Sequence, residues 1–366
     1  MNRTVLISGA GIAGPTLAYW LCRFGFTPTL IERAPELCTG GYIMDFWGAG
    51  FDVAERMQLI LQLRQASYHP RALRIIDERG RRVGGFGTGR VGRVLRQRYF
   101  SILRGDLVAQ IYAKLEGRVE TLFGDSIRAL SENEAGIEVE FDDATPRRFD
   151  LVVGADGLHS QVRGLIFRPE AQHEIYLGYC AASFAAEGYP HRDADVYVAY
   201  CEPGKQVARF ALRDDRTVFF LVFAVDAKPA VDRHNSARRR EILDRLLGGA
   251  GWECQQISRS LDRSSDLYFD AVSQIRLDGW HRGRVALIGD AAFCPSLLAG
   301  QGSSLAMASA YVLAGELRRA GGNFRAAYPA YQALMKPFID RKQRQAVGFA
   351  RQSRLGRSSG WPPAMR

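Results

Sequence analysis

Three short stretches of this sequence set glycine beside a carboxylate or beside bare backbone, the chemistry needed to hold phosphate and hydroxyl groups. Gly9-Ala10-Gly11-Ile12-Ala13-Gly14 comes first and Gly154-Ala155-Asp156-Gly157 second. Gly289-Asp290-Ala291-Ala292 is third, with Gly300-Gln301-Gly302 downstream of it. Glycine lets backbone approach a ligand where a Cβ would collide. A carboxylate such as Asp290 accepts hydrogen bonds from sugar hydroxyls. Gly300 and Gly302 bare the N–H groups that open a helix, where the helix dipole adds partial positive charge. Negative charge on a ligand is stabilised at such a point.

These residues need elements behind them. Residues 4–8 form a continuous apolar run of the kind buried in a parallel sheet. The run leads straight into the first glycine stretch, then an apolar helix over 15–24, then a second strand over 28–31 that ends in Glu32-Arg33. Strand, glycine turn, helix, strand and acid is the context in which G-x-G-x-x-G holds a dinucleotide. Gly9 makes the tight turn, Gly11 admits the pyrophosphate, and Gly14, next to the small Ala13, lets helix and strand pack closely. Glu32 can accept from the ribose hydroxyls of an adenosine and opposes a 2′-phosphate, which favours FAD or NAD over NADP as the bound nucleotide.

The other two stretches repeat the logic. A strand over 148–153 feeds the turn that carries Asp156, and a buried strand over 285–288 feeds Gly289-Asp290. Arg104 opens a helix after residues 100–103 and can fork onto phosphate or ribose oxygens. Tyr42, Met44 and Phe46, on a short apolar strand, are candidates to face a cavity. Residues 73–77 and 82–86 read as a hairpin around Glu78-Arg79-Gly80. Strand-like alternation over 195–200, 207–212 and 217–225 indicates an antiparallel sheet inserted between nucleotide-binding pieces, a wall over a substrate. A charged helix over 236–247 follows, and a final helix over 326–347 contains Pro329 and Pro337.

The totals narrow the function classes. The chain has 366 residues, 47% of them apolar and 24% charged, enough for an ordinary core in two or three domains. No apolar run approaches the ~18 residues needed to span a bilayer, and the first residues lack a signal-peptide layout. A cytoplasmic protein without an integral membrane segment is expected. The six cysteines form no C-x-x-C pair and the six histidines no H-x-x-x-H pair, so no metal site is expected. The net charge of +10 does not point to nucleic acid. After Asp340 stand Arg341, Lys342, Arg344, Arg351, Arg354, Arg357 and Arg366 with no acid, so the excess lies mainly in a basic tail. Attraction of an anionic cosubstrate is the alternative use of that charge.

Taken together, the three motifs resemble those of the group A flavoprotein monooxygenases, the para-hydroxybenzoate hydroxylase family, over about residues 1–320. The adenosine fingerprint matches Gly9, Gly11, Gly14 and Glu32, with Arg33 completing the family's frequent E-R pair. The D-G motif, G-A-D-G-x-x-S-x-V-R, matches Gly154 to Arg163 at every defined position, and the G-D motif matches Gly289 to Ala292 and Gly300 to Gly302. Two departures stand at the flavin's edge, Phe293 where the family often has His and Pro295 one position early, which makes both candidates for substrate contact. The Gly40-Gly41-strand-Gly48 segment is similar to members acting on polycyclic phenols, including tetracycline-inactivating enzymes.

The resemblance implies an α/β fold: a Rossmann-like FAD-binding domain with an inserted, mainly antiparallel β-sheet substrate domain and a C-terminal helix. The expected division assigns 1–72, 98–172 and 270–322 to FAD, 73–97 and 173–269 to substrate, and 323–366 to the C-terminal helix and basic tail. It implies FAD as cofactor and NADPH or NADH as cosubstrate in a monomer or homodimer. The expected reaction is hydroxylation of an aromatic or polycyclic phenol-type small molecule with O2 through a flavin C4a-hydroperoxide. Gly300, Gln301 and Gly302 would hold the pyrimidine side of the isoalloxazine, and Asp290 the ribityl or pyrophosphate region. Arg104 would lie against FAD, and Asp156 and Arg163 would support a nicotinamide or pyrophosphate contact. The sequence assigns no acid or base; His159 and Tyr42 are the candidates. Other chemistries on this fold are a flavin-dependent reductase and a halogenase, whose W-x-W-x-I-P signature is absent, since Trp occurs only at 20, 47, 252, 280 and 361. A non-catalytic flavin-binding protein is the third alternative.

Overall fold

The computed structural model describes residues 3–38, 40–167, 172–190, 193–229, 235–264 and 266–354; the terminal part of the basic tail, with Arg357 and Arg366, lies outside the described residues. At the centre of a six-stranded sheet is the strand Thr4–Ser8. It pairs in parallel with Thr27–Glu32 on one side and Leu151–Gly154 on the other. Glu120–Phe123 extends the first side in parallel, Val285–Leu287 extends the second, and His281–Arg282 closes the edge antiparallel. Val5, Leu6, Ile7, Leu30, Leu151, Val152 and Val153 are almost wholly buried. That explains why these strands read as unbroken apolar runs rather than alternations.

Strand order reverses at Thr4–Ser8, because the next strand in the chain lies on one side and the much later Leu151–Gly154 on the other. Open α/β sheets bind ligands outside the carboxyl ends of their strands at such a reversal. The glycine turn and the Asp156 turn both leave the sheet at this end.

The single strand expected over 148–153 is two. Arg147–Phe149 pairs antiparallel in a three-stranded sheet with Gly136–Phe141 and Ile127–Asn133, while Leu151–Gly154 joins the parallel sheet. Asp150 is the joint. Its N–H bonds to Thr4 O and Thr4 Oγ1, and its carboxylate accepts from Thr4 N at 2.8 Å, so the chain changes partners at one residue.

A seven-stranded sheet forms the second layer, in the order Leu267–Ile275, Glu174–Glu187, Arg216–Ala224, Lys205–Ala211, Val196–Glu202, Ala72–Ile76, Arg82–Gly87. All pairings are antiparallel except Val196–Glu202 with Ala72–Ile76. One face carries Cys180, Phe184, Phe219, Leu221 and Val207 against the helices Ser236–Gly248 and Cys254–Leu261. The other face turns Tyr179, Ala181, Phe220, Val222 and Tyr268 toward the loop Leu297–Ala299 and the last helix. That last helix, Phe324–Arg354, is longer than expected and runs through both internal prolines. Between the sheets lies a two-stranded ribbon, Ile43–Trp47 with Tyr99–Leu103. None of the described helices is long and apolar enough to cross a membrane.

Candidate functional site

The three glycine stretches meet at one place, and steric limits hold them there. Gly9 has φ +104°, and a Cβ on it would stand 2.6 Å from Ala155 O and 2.9 Å from Asp156 Cα, so only glycine lets the first turn lie against the second. On Gly14 a Cβ would be 1.9 Å from Gly9 O, which no side chain survives. The second turn is tied to the first strand's end by Ala155 N donating to Ser8 O at 2.8 Å, and the third is drawn in by Ile288 N donating to Gly154 O at 2.9 Å. Gly289, at φ +57°, sits where a Cβ would be 3.3 Å from Ala13 Cβ and 3.6 Å from Ala306 Cβ. It therefore seats the helices Ala13–Arg23 and Gly302–Arg319 side by side. Both helices start without a side-chain cap and with no acid in the first turn, which leaves their opening N–H groups for a ligand.

Carboxylates brace this arrangement. Glu32 accepts from Ala10 N (2.7 Å) inside the first turn and from Ala34 N (2.9 Å), and the neighbouring Arg33 is exposed. Asp156 accepts from Ser160 Oγ, Gln161 N and Val162 N, so its carboxylate holds the turn before the helix Gln161–Ile166. Arg163 corrects an expectation. Its side chain has no exposed surface, and it donates to Ala291 O at 3.0 Å and to Leu158 O at 2.7 Å. It ties the second motif to the third instead of reaching a nicotinamide or a pyrophosphate.

Arg104 stands in the opening between these turns. A Cβ on Gly11 would lie 3.6 Å from its Nη2, and one on Gly41 3.4 Å from its Cβ. The residue is half-buried, and its guanidinium has no hydrogen bond or ion pair among the described residues. Its charge opposes the effect of burial on Asp290 and on the Tyr42 and Tyr268 phenols, all of which burial pushes above their ordinary pKa values. The four groups therefore lie within electrostatic range of one another. Gln301 adds a second unmet group, a buried side-chain Oε1 without a hydrogen-bond partner among the described residues, and a Cβ on either Gly300 or Gly302 would meet none of them within 4 Å. An unpaired guanidinium, an orphaned amide oxygen, two open helix starts and a glycine-lined gap fit a flat dinucleotide with an anionic middle and a hydrogen-bonding ring. FAD is such a molecule.

Over this opening lies an aromatic wall. The Tyr42 ring is 5.3 Å from Tyr268 and 5.8 Å from Phe220, centroid to centroid, which joins the ribbon to the seven-stranded sheet. Met44 is half-buried beside the long helix, with Ser303 Oγ 2.7 Å from its sulfur. Two of the substrate candidates are corrected. Phe46 is fully buried, with its ring 5.5 Å from Phe100 and 6.4 Å from Phe51, so it packs in the core between the ribbon and the following helix. Phe293 is 1% exposed and packs with its ring 4.8 Å from that of Trp280, so it belongs to the core. Pro295 is buried, and its carbonyl accepts from Gln274 Nε2.

His159 reaches Asp270 on the seven-stranded sheet, with Nε2 3.1 Å from both carboxylate oxygens. Sequence reasoning missed Asp270, since one acid in an alternating strand carries no signal of its distant partner. It also missed Asp45, whose Oδ1 accepts from Tyr99 OH (2.8 Å) and Ser101 Oγ (2.7 Å) on the neighbouring ribbon strand.

Known proteins agree with this geometry. A family model described as an FAD binding domain matches residues 106–321. A flavin-dependent monooxygenase of Legionella longbeachae is 33% identical over 350 residues, covering 94% of this chain and 88% of that protein. The FAD-dependent monooxygenase asL6 of Sarocladium schorii is 30% identical over 365 residues, covering 94% and 86%. The crystal structure of tetracycline destructase Tet(51) superposes with a TM-score of 0.86 at 30% identity, covering 96% of this chain and 91% of that one. With its glycine turns converged on an FAD-shaped opening, the chain belongs to the group A, para-hydroxybenzoate hydroxylase-like family of FAD-dependent monooxygenases.

Proposed function

We propose that this FAD-dependent monooxygenase takes electrons from NADPH or NADH and hydroxylates an aromatic or polycyclic phenol-type small molecule held against the seven-stranded sheet. The observation that carries the reading is the cluster of Tyr42, Tyr268 and Phe220 rings within electrostatic range of Arg104, whose guanidinium has no hydrogen bond or ion pair among the described residues. An aromatic substrate stacks on such rings at about 0.5–1.5 kcal/mol per pair beyond the area it buries. Likeness to a tetracycline destructase over nearly the whole chain supports a fused-ring phenol as the first class to try.

When bound, FAD supplies two-electron storage and oxygen activation. The chain's own residues would hold and orient it. Gly9, Gly11 and Gly14 with the first helix start would take the pyrophosphate, and Glu32, with Arg33 beside it, the adenosine ribose. Arg104, with a fork of donors, would bond phosphate or ribose oxygens, and Asp290 would hold the ribityl or pyrophosphate region. Gly300, Gln301 and Gly302 would meet the pyrimidine edge, with the orphaned Oε1 of Gln301 taking a ring N–H. Asp156 acts through the turn it holds. The proposed division into an FAD unit (1–72, 98–172, 270–322) and a substrate unit (73–97, 173–269) separates most of the two large sheets, although its boundary at 269/270 falls within the strand Leu267–Ile275 of the seven-stranded sheet.

The test is a panel of phenols, including fused-ring ones, incubated with the FAD-loaded protein. NADPH and NADH loss, oxygen uptake and peroxide release are followed together. A substrate speeds cosubstrate loss and takes the oxygen into product. Cosubstrate loss that no panel member accelerates, or that returns wholly as peroxide, would remove aromatic hydroxylation.

A further inference from the structure

The loop that follows the Gly289-Asp290 turn is held in an unfavourable shape. Ser296, 2% exposed, has φ +86° and ψ +149°, a backbone region that is essentially glycine's alone. Such a residue persists only where its surroundings over-determine it. Here the surroundings are two buried glutamines far away in sequence. Gln343, 5% exposed on the helix Phe324–Arg354, directs its Nε2 at Phe293 O (2.9 Å), Cys294 O (3.3 Å) and Ile275 O (2.8 Å). Gln274, with no exposed surface, donates from Nε2 to Pro295 O at 3.1 Å and to Gln343 O at 2.8 Å.

Chemistry fixes both amide orientations. Gln274 Oε1 accepts from Arg276 Nε (3.2 Å) and Nη2 (2.9 Å), so its nitrogen must face the carbonyls. Three carbonyl oxygens around Gln343 Nε2 demand a donor in the same way. Three consecutive carbonyls, at 293, 294 and 295, are thus clamped just before the strained residue, and Ser296 Oγ accepts from Leu298 N to close the next turn.

We infer that Gln343 is a positioning residue of the FAD site: through Phe293, Cys294 and the strained Ser296 it sets the loop between Asp290 and Gly300, and so couples the last helix to the flavin's surroundings. This rests on the reading that Gly289 to Gly302 borders the flavin. A buried amide that touches neither cofactor nor substrate acts only through backbone, and a loop held this tightly keeps ring contacts where a looser one loses them.

Gln343→Met keeps the length and packing of the side chain and removes its donors. In the FAD-loaded protein its expected signature is local. FAD affinity stays within about threefold of the parent, while iodide quenching of bound-flavin fluorescence rises about twofold or more and the visible flavin bands move. Gln343→Asn, whose amide is drawn back by one methylene, gives the same change at smaller amplitude and carries the test if the methionine variant does not fold. Ser296→Gly relieves the strain, so adding Gln343→Met to it raises quenching by less than half as much. Unchanged bands and quenching in both Gln343 variants would overturn the inference, as would a loss of FAD affinity matched by an equal loss of stability in the apoprotein. An equal rise with and without Ser296→Gly would overturn the strain argument. Parent protein that binds no FAD would instead defeat the reading of the site itself.

Discussion

The carboxyl ends of the six-stranded sheet and one face of the seven-stranded sheet border one space, with the Tyr42 ring touching the second while the charge of Asp290 acts on it from the first and that of Arg104 from the end of the ribbon. They are built by opposite means. At the strand ends, backbone does the work, and three of the glycines are set by what a Cβ would strike: Ala155 O for Gly9, Gly9 O for Gly14, Leu287 Cδ2 for Gly154. On the sheet face, side chains do the work, and each arrives from a separate strand or helix. A steric requirement on backbone tolerates one residue type and leaves a fixed motif. A requirement for apolar area tolerates many residue types and leaves none.

Two substitutions at the strand ends test the first half of that contrast. Gly14→Val has the largest expected effect. Its Cβ would stand 1.9 Å from Gly9 O, and neither the turn nor the helix start can yield without parting Thr4–Ser8 from Ala13–Arg23. A loss of about 4 kcal/mol or more is expected, at the extreme of single substitutions, and urea unfolding would measure it. A variant as stable as the parent would break the steric account. Arg104→Met comes next and acts mainly on ligand. Its guanidinium has no hydrogen bond or ion pair among the described residues, only an electrostatic pull on Asp290, so the apoprotein's Tm should move little. A charge-assisted hydrogen bond of about 1.5–3 kcal/mol would be missing from the cofactor, which weakens FAD about 10–100-fold in a fluorescence titration. Unaltered affinity would place Arg104 outside the site.

The same contrast governs what could be read from the sequence. Glycine spacing, the strand before each turn and the helix after it were legible, because collisions constrain residue type directly. The parallel sheet was legible for a related reason, since strands buried on both faces are continuous apolar runs. Phe46 and Phe293 were misread because an aromatic's direction depends on packing partners, Phe100 and Trp280, that sequence does not place. The break at Asp150 was hidden because adjacent strands in the chain belong to different sheets. Arg163 shows a subtler limit: its motif was recognised, but burial alone reveals that it braces backbone. Asp45, Asp270, Gln274 and Gln343 left no mark, being single polar residues whose partners lie on other elements.

On the sheet face, smaller and more graded effects are expected. Phe220→Ala removes part of the aromatic wall while leaving every glycine turn untouched. KM for a phenolic substrate should rise about tenfold, from a lost stacking contact of roughly 0.5–1.5 kcal/mol and some buried area, with FAD affinity unchanged. A fall in FAD affinity equal to the rise in KM would show that the two regions are not separable and would undo the comparison.

Asp45→Asn has the smallest expected effect and sharpens the contrast most, because only side chains are involved. Burial raises the Asp45 carboxyl above its ordinary range, and hydrogen bonds from Ser101 and Tyr99 only partly oppose this. A carboxyl raised by folding binds its proton more tightly in the folded than in the unfolded chain. Its favourable contribution is therefore complete below the unfolded value near 3.8 and is lost as pH rises through the higher folded value. Asparagine keeps an oxygen that accepts from Tyr99 OH and Ser101 Oγ and carries no charge to bury. The variant should match the parent in acid and exceed it at neutral pH, with the gap opening across that window in urea unfolding at stepped pH. A gap of opposite sign would mean that the hydroxyls need the ionised carboxylate, and that the ribbon is held by charge and not by the shape of its polar pairs.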